Sequence, residues 1–287
     1  MTGNRDDRNN LLFDTTARAV IDNLSKLHVA FVDVREKPER VASGVLILVE
    51  GHLFVATAAH VIPTSPETRL AFASRTTRDL EPGRPAVLRY GKHASGWPDV
   101  GFLELAPETA LSTLTKEAIG LERITLRGPG DPDQRCFLCG YPSELIRLSR
   151  PSKHVGHLSF KGMCYTNTPI SPTRWPRVSS ADHPTDPMVD IFLPYDQAEE
   201  MCYHEENEGH DRLEEPCGMS GGGLWQAAPC ENNVWSPEQA QLFGIQSAWS
   251  KERKYVRACQ MAHWLRLICD HYSDLRPTLV ERFPDLK

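Results

Sequence analysis

The 287-residue chain has no apolar run long enough to cross a membrane or to form the core of a signal peptide, and Met1 to Asn10 are polar. A soluble, cytoplasmic protein with no membrane partner is therefore expected. Basic charge is not in excess either. Lys and Arg number 32 against 38 Asp and Glu, a formal net charge of -6, which offers nucleic acid no electrostatic footprint. No lysine follows the glycines at 218 and 221–223, so a phosphate-cradling P-loop is excluded. Without a secretory leader, the eight cysteines read as reduced thiols rather than a disulfide framework. Cys136 and Cys139, three apart on a strand-like run, point to opposite faces and cannot chelate one ion. No metal or cofactor is expected.

What the chain does contain is a serine set among glycines, Pro216-Cys217-Gly218-Met219-Ser220-Gly221-Gly222-Gly223. A serine needs a base within hydrogen-bond reach, and that base needs a third group to orient it. Two earlier segments offer them: Thr57-Ala58-Ala59-His60, and Asp99-Val100-Gly101-Phe102-Leu103-Glu104-Leu105. The chain order His60, Asp99, Ser220 separates the folds that use this chemistry, because subtilisins run Asp, His, Ser and α/β-hydrolases run Ser, acid, His. Gly218-Met219-Ser220-Gly221-Gly222 also satisfies the G-x-S-x-G elbow of α/β-hydrolase esterases. That elbow requires a downstream acid and histidine, and His263 and His271 both fall in a helix-like segment near the C-terminus.

Strand-like runs occupy residues 28–34, 41–49, 52–57, 69–73, 86–90 and 100–105, and resume at 135–140, 154–160, 188–193, 222–226 and 242–249. Gly128-Pro129-Gly130-Asp131-Pro132 reads as an interdomain linker. A short helix capped by Asp14 or Thr15, with Ala17, Val20, Ile21 and Leu24 on one face, precedes the strands. The segment from Tyr255 to Tyr272, with Met261, Trp264, Leu265, Ile268 and Tyr272 at helical spacing, reads as a terminal helix. Residues 166–187, rich in proline, read as a long surface loop, and the acidic run at 199–215 as a solvated loop.

On T-A-A-H at 57–60, D-V-G-F-L-E-L at 99–105 and G-M-S-G-G at 218–222, the chain resembles the trypsin-like, chymotrypsin-fold serine peptidase family, in its bacterial cytoplasmic form. Ala42 to Ile47, Phe137 to Pro142 and Leu242 to Ser247 are similar to that family's strands flanking the site. The resemblance implies an all-β fold of two six-stranded antiparallel β-barrels with an N-terminal and a C-terminal helix. The divisions are an extension at 1–27, a barrel at 28–127 carrying His60 and Asp99, a barrel at 128–250 carrying Ser220, and a helix and tail at 251–287.

It implies a serine endopeptidase acting on a polypeptide substrate, with Ser220 as nucleophile, His60 as base and Asp99 as its orienting acid. The amides of Gly218 and Ser220 would form the oxyanion hole. Glu214, Glu215, Ser247 and Trp249 would border the substrate pocket. Met219 stands where secreted relatives often carry an aspartate that pairs with a new N-terminus, so the oxyanion loop is set constitutively or by an activating protein partner or ligand. A catalytically silent binding module on the same fold is the alternative.

Overall fold

A computed structural model of the chain describes residues 18–20, 22–33, 41–62, 70–73, 87–106, 116–129, 134–149, 157–178, 183–198, 201–204, 211–226 and 236–286. The expected helix cap at Asp14 or Thr15 and residues 130–133 of the linker lie outside them. Residues 18–20 and 22–24 are helical and bury Val20 and Leu24.

The first sheet joins β1 (His28–Asp33), β2 (Val41–Val49), β3 (His52–Thr57), β4 (Leu70–Ala73), β5 (Val87–Lys92) and β6 (Gly101–Leu105) in the order β4-β1-β2-β3-β6-β5, all antiparallel. Its near-continuous apolar strands reflect burial on both faces. Leu46, Leu53 and Val55 pack with Val29, Phe31 and Leu103 inside the barrel. Val45, Ile47, Phe54 and Ala56 alternate with them and face the C-terminal helix and the second barrel.

The second sheet contains β7 (Cys136–Gly140), β10 (Met163–Asn167), β11 (Asp190–Pro194), β12 (Met201–His204), β13 (Asp211–Arg212), β14 (Gly223–Gln226), β15 (Gln241–Ser250) and β16 (Tyr255–Gln260). Their order is β11-β16-β15-β14-β7-β10-β12-β13, and β8 (Ile146–Ser149) pairs with β9 (His157–Phe160) beside it. Eight strands thus stand where six were expected. Cys136, Leu138, Leu224 and Phe243 fill this barrel, while Phe137, Cys139 and Trp225 face the other core. Cys136 and Cys139 accordingly lie on opposite faces.

Two readings are corrected and a third is trimmed at its start. Tyr255–Gln260 is a strand, not the start of the helix, and it carries the second sheet past residue 250, pairing with β11 on one side and β15 on the other. The acidic run supplies β12 and β13: the backbone of residues 163–165 pairs with β12 and β12 with β13, with Cys202 and, just after β13, Leu213 buried in the second core. The proline-rich stretch is the expected loop among the described residues, except that residues 166–167 end β10 and Pro172–Arg174 forms a 3-10 turn.

The chain ends in two helices, α1 (Met261–His271) and α2 (Arg276–Arg282), where one was expected. Met261, Trp264, Leu265 and Ile268 on α1 are buried, and Trp264 Nε1 donates to Gly101 O at 3.2 Å. Burying each such side chain stabilises the fold by about 1.5–3 kcal/mol, and the Trp264 bond fixes the helix over the start of β6. No helix among the described residues is long and apolar enough to cross a membrane.

Candidate active site

The register Thr57↔Gly101 brings the end of β3 against the start of β6. His60, in the 3-10 turn Ala59–Val61 after β3, therefore meets Asp99, two residues before β6. Asp99 holds His60 twice. Its Oδ2 accepts from the ring Nδ1 at 2.8 Å and its Oδ1 accepts from the His60 backbone N–H at 3.0 Å. The His60 side chain is 49% exposed while Asp99 is 16% exposed, so the acid is sheltered and the free edge of the imidazole faces the cleft. Below Asp99, burial and then the Asp99 charge push the Cys259 thiol up to about 12, which keeps that neighbour neutral.

Ser220 lies in the turn before β14, tied to both sheets. Its carbonyl accepts from the Ser43 amide of β2 at 2.9 Å, and the next amide, Gly221, donates to Gln246 O of β15 at 2.8 Å. Gly218 and Gly221 have φ of +90° and +92°, the left-handed region. A Cβ at Gly221 would collide with Ser43 O and Thr57 Oγ1, and one at Gly218 would sit 2.8 Å from Ser143 N. Glycine is required at both. Among the described residues, the amides of Gly218 and Ser220 donate no hydrogen bond, although Gly222 and Met219 beside them do. Ser220 Oγ and His60 share no hydrogen bond either: two of the three candidate residues are directly joined.

Met219, between Gly218 and Ser220, is fully buried in the second core. Cys217 is exposed, and burial of its sulfur followed by the Glu215 charge raises its thiol pKa, which disfavours a competing thiolate.

The expected specificity residues are placed unequally. Ser247 lines a cavity of about 280 Å³ that also contains His60 and Asp99, and its Oγ donates to Arg257 O at 3.2 Å. Glu214, Glu215 and Trp249 are outside that cavity. Glu215 pairs with Lys251 at 2.6 Å, Glu214 O accepts from Tyr195 Oη at 2.6 Å, and Trp249 packs on the second core.

Sequence reasoning missed Lys92, Trp97, His183 and Arg257, which complete the cavity wall. Arg257 is the one charged residue in the apolar strand β16, and that was the available signal. It bonds Asp190 through Nε at 2.8 Å and Nη2 at 2.7 Å, both side chains being buried, and its Nη1 donates to His183 O at 3.0 Å. Trp97 covers its guanidinium at 4.4 Å and stacks on His183 at 4.8 Å.

A scan against protein-family models and a search of curated proteins found no match. Among solved structures, the chain is similar to two scabies mite inactivated protease paralogues. S-D1 superposes at a TM-score of 0.53 with 14% identity, covering 88% of this chain and 94% of that one. S-I1 superposes at 0.50 with 16% identity, covering 88% and 96%. The fold is that of the chymotrypsin-like serine proteases.

Proposed function

We propose that the chain is a serine endopeptidase that cleaves polypeptides through an acyl-enzyme formed on Ser220. The observation that supports this reading is the double hold of Asp99 on His60 beside a cavity, together with a serine turn tied to Ser43 of the same sheet, in which the Gly218 and Ser220 amides donate no hydrogen bond among the described residues. Ser220 Oγ attacks the scissile carbonyl while His60 Nε2 takes the hydroxyl proton. Asp99 fixes the tautomer with the proton on Nδ1 and stabilises the imidazolium without gaining a proton. The amides of Gly218 and Ser220 donate to the carbonyl oxygen as it becomes negative. His60 then returns the proton to the leaving amine, and water repeats the sequence on the ester.

Unoccupied amides at a left-handed Gly218, with Met219 packed beneath, support an oxyanion loop set without propeptide cleavage. A reducing, cytoplasmic location is supported by the seven described cysteines, none in a disulfide; Cys139 and Cys164 sulfurs lie 3.2 Å apart as thiols.

The test is cleavage of a diverse peptide library by the purified chain. Cleavage lost in Ser220→Ala supports the reading, and cleavage equal in the two proteins contradicts it. The second reading, a silent binding module, is favoured by the missing bond between His60 and Ser220 Oγ. Apo catalytic bonds often tighten only with substrate, and the silent module predicts peptide binding with no cleavage.

A further inference from the structure

The cavity of about 280 Å³ beside His60 has room for roughly nine waters at about 30 Å³ each, the scale of one extended side chain rather than a second polymer. Its charges divide into those already answered and one that is not. Arg257 is cancelled by the two-point pair with buried Asp190. Both carboxylate oxygens of Asp99 are taken by His60. Lys92, at the end of edge strand β5, is half-buried and lines the same cavity, and among the described residues its ammonium has no ion pair or hydrogen bond. The stacked rings of Trp97 and His183 line the same cavity as a flat face, 4.8 Å between centroids and 20° between planes.

We infer that this cavity is a subsite for an acidic side chain, Asp or Glu, of the bound peptide close to the scissile bond, with Lys92 as the residue that selects it. The methylenes of the side chain lie along the Trp97 and His183 faces, and the carboxylate reaches the Lys92 ammonium. A carboxylate answers the one open charge, whereas a basic side chain would meet Lys92 and the Arg257 edge with like charge. An apolar one would leave the half-buried ammonium partly desolvated and unpaired. The inference rests on the peptidase reading for its place beside the cleaved bond, but the binding it describes does not need cleavage.

The test is therefore equilibrium binding to the full chain carrying Ser220→Ala, which keeps peptide intact. Fluorescein-labelled heptapeptide pools, each with one position fixed as Glu or as Gln and the rest randomised, are titrated by fluorescence anisotropy at low salt. The expected result is a single position at which the Glu pool binds about tenfold tighter than the Gln pool. That ratio falls to within about twofold in Lys92→Ala and Lys92→Gln, and is retained in Lys92→Arg, because a desolvated charge pair is worth more than an exposed one. No such position, or a preference that survives both neutral variants, overturns the subsite. Covalent labelling of the wild-type serine by a fluorophosphonate is read in parallel. Acid preference without labelling overturns the peptidase reading alone; labelling without acid preference overturns the subsite alone.

Discussion

The backbone N–H of Ser43 donates to the carbonyl of Ser220 at 2.9 Å, so a strand of the first sheet holds the candidate nucleophile presented by the second. The Ser43 hydroxyl extends that hold. It donates to Gly218 O at 2.9 Å and accepts from the Tyr141 amide at 2.9 Å, in a fully buried position. One side chain thus joins β2, the end of β7 and the loop before Ser220, and holds the Gly218–Met219 peptide next to the Gly218 amide proposed as an oxyanion donor.

Replacing Ser43 by alanine strands a buried donor and a buried acceptor. The expected cost is about 1–3 kcal/mol in denaturant unfolding, with kcat lowered more than KM is raised, since the Gly218–Met219 peptide that fixes the turn is released. A variant with wild-type stability and unchanged kcat contradicts this role.

Asp99→Asn keeps the size of the side chain but reverses the tautomer it favours on His60. Turnover on a cleaved peptide is expected to fall by about 10⁴ with little change in melting temperature, the loss that tautomer reversal causes in Ser-His-Asp triads. A loss below about tenfold would mean that another group orients His60.

His28 governs acid stability. Its Nδ1 donates to Leu24 O at 2.6 Å, while Nε2 accepts from the Gly223 amide and Trp225 Nε1, each at 3.3 Å. Burial, chiefly, holds its pKa down to about 4 from 6.5. The folded state thus binds this proton more weakly than the unfolded chain. The stabilisation is full above pH 6.5 and declines as pH falls towards about 4, amounting to roughly 3 kcal/mol at 1.36 kcal/mol per pK unit. Unfolding free energies measured across this window should lose that slope in His28→Gln, which cannot take up a proton. An identical slope in both proteins contradicts the assignment.

The acidic residues before the serine carry a separate expectation, a basic side chain at the scissile bond. A preference for Arg or Lys should be weakened by Glu214→Gln or by Glu215→Gln, whose partner Lys251 lies at 2.6 Å, and by added salt. Library profiling with the two variants checks this, and cleavage after small or aromatic residues unaffected by either one contradicts it.

His60, Asp99 and Ser220 were legible as candidates because each stands within three residues of a strand whose apolar pattern is strong, β3, β6 and β14; among the described residues the structure joins His60 to Asp99 and gives neither a bond to Ser220 Oγ. The same clarity explains why Val41–Val49 and His52–Thr57 match the expected strands residue for residue. Tyr255–Gln260 was misread because a helix-period stripe from Met261 onward runs directly on from it, and it is its pairing with Asp190–Pro194 and with Gln241–Ser250 that makes it a strand. Short strands such as Ile146–Ser149 and Asp211–Arg212 depend on a partner rather than on their own composition. His183 was not legible as a site residue. Its place is set by Arg257 and Trp97, 74 and 86 positions away, and no local pattern encodes that contact.

The central claim is that Ser220 is an activated nucleophile. The most direct measurement is the stoichiometry and position of labelling by a fluorophosphonate probe, read by intact mass and peptide mapping on the wild type, His60→Ala and Ser220→Ala. The account predicts one label per chain on Ser220, reduced at least a hundredfold in rate by His60→Ala, within the roughly 10²–10⁴ that a positioned general base contributes, and absent in Ser220→Ala. No labelling of the folded wild-type chain, or labelling at the same rate without His60, would contradict it.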